Sequence, residues 1–221
     1  MNNKILTKEQ IQFVNVFSES DLTSNFYLSG GTALVGFYYP YRYSDDLDFF
    51  SEEEFDINQI LTFLKTNKSK IGYLDFDFRT VYNRNLFFLN FDGNYQLKLE
   101  FTYYPFPRIE NKTKINKLAI DSVIDIATNK LFTIYQSSRT RDFTDLYTIV
   151  TNNEISIDDL ISKAKVKFDW HVDKFVLGKS FLGVNQNSDT PRFFGDFPVD
   201  LCNDFFIRKS KELGQSMMKF N

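Results

Sequence analysis

The chain carries one cysteine, one histidine and one tryptophan in 221 residues. A lone Cys202 cannot form an internal disulfide, and a reducing cytoplasm is the simplest setting. A lone His171 excludes histidine-rich metal sites. No run of about 18 apolar residues occurs, so no transmembrane helix and no membrane partner are expected. The stretch "MNNKILTKEQIQFVNVF" lacks the unbroken apolar core of a signal peptide. Basic excess is missing as well: 26 Lys+Arg against 29 Asp+Glu leave a net charge of −3. No global field advertises nucleic acid, so any RNA contact is a local patch.

What the chain has in quantity is phenylalanine and tyrosine, 26 and 12 of them. Compositional habit explains this better than a base-stacking surface does. The order of elements reads as α/β followed by α. Thr7 caps a helix to about Ser20, and "NFYLS" is a short strand. "TALVGFYY" is a short helix stopped by Pro40, "DLDFF" a strand, and "FDINQILTFLKTNK" an amphipathic helix. Three strand-like runs follow, the last two joined by a "DGN" turn. "RIENKTKINK" reads as a polar connector. From Asp121 the periodicity is helical, in segments 121–135, 141–151, 157–166, 172–181 and 199–218, with an irregular loop over 183–198. The seam is placed so that residues 1–115 form the α/β domain and 116–221 the helical one.

The chemistry concentrates in "LSGGTALVGFYYPYRYSDDLDFF". Three aspartates, Asp45, Asp46 and Asp48, crowd before Phe49 and Phe50. Carboxylates about 4 Å apart repel by roughly 1–4 kcal/mol between water and protein-surface dielectrics, so something must offset them. Strand alternation puts Asp46 and Asp48 on one face and Leu47 and Phe49 on the other; Asp45 falls toward solvent or a turn. In "LKLEFT", Lys98, Glu100 and Thr102 share a face. If the two strands are neighbours, Glu100 joins the aspartates as a third carboxylate. Oxygen donors of this kind suit Mg²⁺, which supports phosphoryl transfer; a solvated acidic face is the plainer alternative. Gly30 and Gly31 stand between a strand and a helix, where the backbone approaches closely and free N–H groups meet phosphate, with Thr32 adding a hydroxyl. In "IDIATNKLFTIYQSSRTRDFTDLY", Lys130 either neutralises nucleotide phosphate, with Arg141 and Asp142 orienting substrate, or takes part in surface ion pairs. Asp142 and Asp145 lie on one side of their helix.

These two motifs, in this order and spacing, resemble the AbiEii/AbiGii-type nucleotidyltransferase toxins, MenT-like enzymes of the nucleotidyltransferase-fold superfamily. The resemblance implies a minimal nucleotidyltransferase mixed sheet with flanking helices, followed by a helical bundle that completes the cleft. It implies nucleotidyl transfer from an NTP with Mg²⁺ (or Mn²⁺), often to tRNA or another RNA, in a toxin restrained by a cognate antitoxin. By position, Gly30, Gly31, Thr32, Arg42 and Ser44 would meet the triphosphate, and Asp46 and Asp48 the metal. Lys130 and Arg141 would bind nucleotide, and Asp142 with Asp145 would complete the site. The superfamily's third carboxylate is commonly Asp; here the expected ligand or general base is Glu100, with Asp75 and Asp77 as rivals. A catalytically inactive nucleotide-binding or partner-binding module of the same fold is the competing expectation.

Overall fold

A computed structural model describes residues 4–110, 113–137, 139–185 and 189–218. The chain divides into two compact units, Met1–Ser122 and Val123–Asn221.

The first unit is built on a seven-stranded mixed sheet. Its strands are β1 (Tyr27–Ser29), β2 (Asp46–Ser51), β3 (Asp75–Val81), β4 (Arg84–Asn90), β5 (Gln96–Tyr103), β6 (Thr113–Ile115) and β7 (Leu118–Ile120). Their order is β3-β4-β5-β2-β1-β7-β6. Alternation along the strands sets the two faces. Leu47, Phe49, Phe87, Leu97, Leu99 and Phe101 are fully buried on one face. Phe13 and Phe17 of helix α1 (Lys8–Ser18) and Phe63 of helix α3 (Ile57–Ile71) close over it. The rings interlock, Phe17 to Phe49 at 4.6 Å and Phe49 to Phe101 at 4.9 Å. Each such side chain contributes about 1.5–3 kcal/mol by burial, so this face anchors the sheet and leaves the other available for chemistry.

Helix ends follow the local sequence. Thr7 and Gln10 form a reciprocal capping box at α1, which satisfies two otherwise orphaned donors. Asp56 caps α3, and Gly72 ends it in the left-handed conformation with φ +89°.

Two expectations change. Helix α2 spans Gly30–Phe37, so it starts at the glycines rather than after them. The polar connector is partly sheet: β6 and β7 form a hairpin, and β7 runs parallel to β1. Residues up to Ser122 therefore pack with the first unit, beyond the expected seam at 115.

The second unit holds α4 (Val123–Gln136), α5 (Thr140–Asn153), α6 (Ile157–Phe168), α7 (Lys174–Phe181) and α8 (Val199–Met218). Helix α4 packs on α5, α6 and α7, and α8 packs on α5 and α7. Phe143, Phe181 and Phe206 meet in its core. Among the described residues, no helix is long and apolar enough to cross a membrane.

Candidate active site

The site is assembled on the face of the sheet opposite the phenylalanine core. Strand β2 runs parallel to β5 with Asp46 opposite Lys98 and Asp48 opposite Glu100, and antiparallel to β1 with Ser29 opposite Asp48. Paired residues project to the same side. Asp46, Asp48, Lys98, Glu100, Thr102 and Ser29 therefore share one surface, while Leu47 and Phe49 are buried behind it. Asp45 is exposed at the strand's entrance. Asp75 and Asp77 lie on edge strand β3, three strands from β2. At about 4.8 Å per strand that is roughly 14 Å away, which removes them as rivals to Glu100.

The double glycine lies against the aspartates. Gly30 opens α2 with φ +72°, and a Cβ there would overlap the Asp48 carboxylate. A Cβ on Gly31 would run into the Arg42 guanidinium and come within 3.2 Å of Ser44 Oγ. Only glycine lets this turn pass so close to both groups. The loop is then clamped from inside. Thr32 Oγ1 donates to the Asp46 carbonyl and lies 2.8 Å from Ser44 Oγ. Gln10 Nε2 donates to the Ser44 carbonyl at 2.7 Å. Arg42, 3% exposed, donates to the Tyr43 carbonyl at 2.8 Å. Thr32 is fully buried, so its hydroxyl fixes the loop to β2 instead of projecting outward.

Glu100 is engaged differently from the aspartates. Arg84 grips it with two bonds of 2.6 Å, and Thr102 Oγ1 adds one at 3.0 Å. Burial pushes the Glu100 carboxyl up, but the Arg84 bonds and charge, with Lys98, outweigh it and hold the carboxyl below its ordinary value. A carboxylate so stabilised is a weak base. Lys98 Nζ meets Asp46 Oδ2 at 2.7 Å and lies 3.7 Å from Glu100 Oε2. The expected three-carboxylate set is thus divided by cations. Among the described residues, no three acidic, histidine or cysteine side chains gather as a metal-holding group.

At the far side of β1, Ser29 Oγ donates to the buried Asp121 at 2.6 Å. Sequence reasoning missed Asp121, Arg84 and Lys98 as site groups. The alternation that paired Lys98 with Glu100 was visible, but Arg84 becomes a neighbour only through the β4–β5 register, where it stands opposite Thr102.

In the second unit, Lys130 Nζ binds Asp142 Oδ1 at 2.7 Å and Asp145 Oδ2 at 2.8 Å, with both carboxylates fully buried. Arg139 adds a contact to Asp142 at 3.0 Å. This is an ion cluster, buried where a surface one was the plainer expectation. Burial raises the Asp142 carboxyl, yet the Lys130 and Arg139 charges prevail and hold it low. Arg141 is exposed, and Arg139 takes the place beside Asp142.

The donor set suits a divalent cation: two aspartates on one strand face, with an ammonium already seated on one of them. Asp46 and Asp48 are the residues that would hold it.

Residues 12–216 match the family model described as "Nucleotidyl transferase AbiEii toxin, Type IV TA system". An uncharacterized protein of Aquifex aeolicus (strain VF5) is 32% identical over 214 residues, covering 94% of this chain and 97% of its own. Two Helicobacter pylori structures share the fold, each with TM-score 0.62 and 20% identity. JHP933 covers 96% of this chain and 91% of its own. The other, described as a candidate nucleotidyltransferase, covers 100% and 99%.

Proposed function

The chain belongs to the AbiEii nucleotidyl transferase toxin family, and on that premise we propose that it transfers a nucleotide from an NTP to an acceptor hydroxyl on tRNA or another RNA, dependent on Mg²⁺ and opposed by a cognate antitoxin. The observation that carries the reading is the contact of Gly30 with Asp48 beside Asp46 on a single sheet face. A left-handed glycine brings the start of a helix, whose first N–H groups have no partner within the helix, against a pair of hard oxygen ligands. That juxtaposition is what a triphosphate and its cation require.

Within this proposal, Asp46 and Asp48 would hold a divalent cation, whose charge would offset that of the phosphates during attack at the α-phosphorus. The Gly30–Gly31 backbone approaches the phosphates, Arg42 stiffens the loop beneath them, and Gln10 and Thr32 keep Ser44 in register. Pyrophosphate leaves as the acceptor oxygen bonds to phosphorus, and the acceptor proton goes to solvent. Glu100, tied to Arg84, positions the strand rather than removing that proton. Catalysis is then chiefly positioning and electrostatics.

The Arg84–Glu100 clamp also favours a second reading, a nucleotide-binding module without turnover. One experiment separates the two. Each labelled NTP is incubated with Mg²⁺, purified tRNA or total RNA, and wild type, Asp46→Asn or Asp48→Asn. Incorporation by wild type, with a loss of about 10²-fold or more in each variant, supports transfer. NTP binding without incorporation by wild type supports the module.

A further inference from the structure

We propose that Lys98 is the resident counter-ion of the acidic site: it holds Asp46 while no divalent cation is bound and releases it when one enters. The inference rests on the reading of Asp46 and Asp48 as cation ligands.

The register places Lys98 directly opposite Asp46 on parallel strands, so both side chains rise from the same face. The ammonium meets Asp46 Oδ2 at 2.7 Å and stands 3.7 Å from Glu100 Oε2. It therefore occupies ground between two carboxylates that a divalent cation would contest. The two basic residues on this face differ in what they can give up. Arg84 holds Glu100 through a planar two-point grip, with Thr102 as a third donor. Bidentate guanidinium pairs of this kind are the strong ones. Lys98 holds Asp46 by a single short contact, with both side chains about a quarter to a third exposed, 26% and 30%. Its charge sits on a flexible four-carbon stem and can swing away without moving the backbone.

At equal distance a divalent cation attracts a carboxylate twice as strongly as an ammonium does. Lys98 therefore yields and Arg84 stays. Two consequences follow. The empty protein does not carry uncompensated like charges on β2. The displaced ammonium then stands beside an anionic substrate, so cation and nucleotide favour each other's binding. A plain surface salt bridge would have neither effect.

The test is Mn²⁺ titration of nucleotide-free protein followed by electron paramagnetic resonance, comparing wild type, Lys98→Met, Lys98→Arg and Asp46→Asn. Lys98→Met should bind Mn²⁺ at least about tenfold more tightly than wild type, as removal of a cation a few ångströms away requires. Lys98→Arg should bind Mn²⁺ more weakly than wild type, since a guanidinium grips its carboxylate more firmly, and Asp46→Asn should lose binding. Equal or weaker binding by a cooperatively melting Lys98→Met overturns the inference. A wild-type measurement covers a Lys98→Met that fails to fold. The ¹⁵N signal of Lys98 Nζ should shift on Mg²⁺ addition while that of Arg84 Nε holds; an unmoved Lys98 signal at saturating Mg²⁺ overturns it as well. If wild type binds no Mn²⁺ even with NTP, the cation-ligand reading itself falls. If it does bind, and Lys98→Met is no tighter, only the role of Lys98 falls.

Discussion

At the residue scale, two glycines with the same backbone handedness make opposite predictions. Gly30 and Gly72 have φ +72° and +89°, where any L-residue pays about 1–2 kcal/mol. Around Gly72 nothing lies within 4 Å of an added Cβ, whereas at Gly30 that atom meets the Asp48 carboxylate. Gly72→Ala should therefore lower stability by about 1 kcal/mol and leave nucleotide transfer intact. Gly30→Ala adds a collision to the same strain, so about 2–3 kcal/mol is expected, with transfer falling because Asp48 must move. Thermal melts of both variants, with transfer assays beside them, check this; equal losses in both would show that the Gly30–Asp48 approach is not tight. The glycines and both aspartates were legible in the sequence because their signals are local. A double glycine bends the chain wherever it stands, and a period of two assigns strand faces without knowledge of partners. Arg84 was not legible, since its meaning depends on which residue of another strand it faces.

At the element scale, the strands that escaped notice are the short ones. Thr113–Ile115 and Leu118–Ile120 are three residues each, too few for alternation to register, and the first is polar. They are strands because β1 offers β7 a free edge, which is a tertiary fact. The long helices were read correctly for the opposite reason: ten or more residues give periodicity room to appear. Helical pattern did not reveal the ion pairs buried between those helices. Lys167 of α6 binds Asp125 of α4 at 2.7 Å, with both side chains fully buried. Removing one member strands the other's charge, so Lys167→Ala should cost about 3–5 kcal/mol. Replacing both, Asp125→Leu with Lys167→Met, should recover most of that loss, because the pair's attraction roughly balances its desolvation. Urea denaturation of the three proteins tests it. A double variant as unstable as the single one would mean that the pair supplies something packing cannot.

At the scale of the whole molecule, each unit contains a carboxylate held below its ordinary titration range by basic partners: Glu100 under Arg84 in the first, Asp142 under Lys130 and Arg139 in the second. In the unfolded chain these groups return to ordinary values near 4.5 and 3.8. A group whose folded value is depressed contributes stability that is fully present above the unfolded value and lost as pH falls through the folded one. Stability should therefore be level from neutral pH down to about pH 5 and decline below it, in both units together. Glu100→Gln and Asp142→Asn should each lower the neutral plateau and flatten the acid decline, since a neutral amide takes up no proton as the pH falls. Among the described residues the bonded partners of Glu100 and of Asp142 are different groups, so their losses should add to within about 0.5 kcal/mol. Melting curves of wild type, both single variants and the double variant between pH 3 and 7 measure this. Stability that rises on acidification, or acid declines as steep in the variants as in wild type, would show that neither clamp holds its carboxylate charged. A sum far from additive would show that the two units are energetically coupled through these charges.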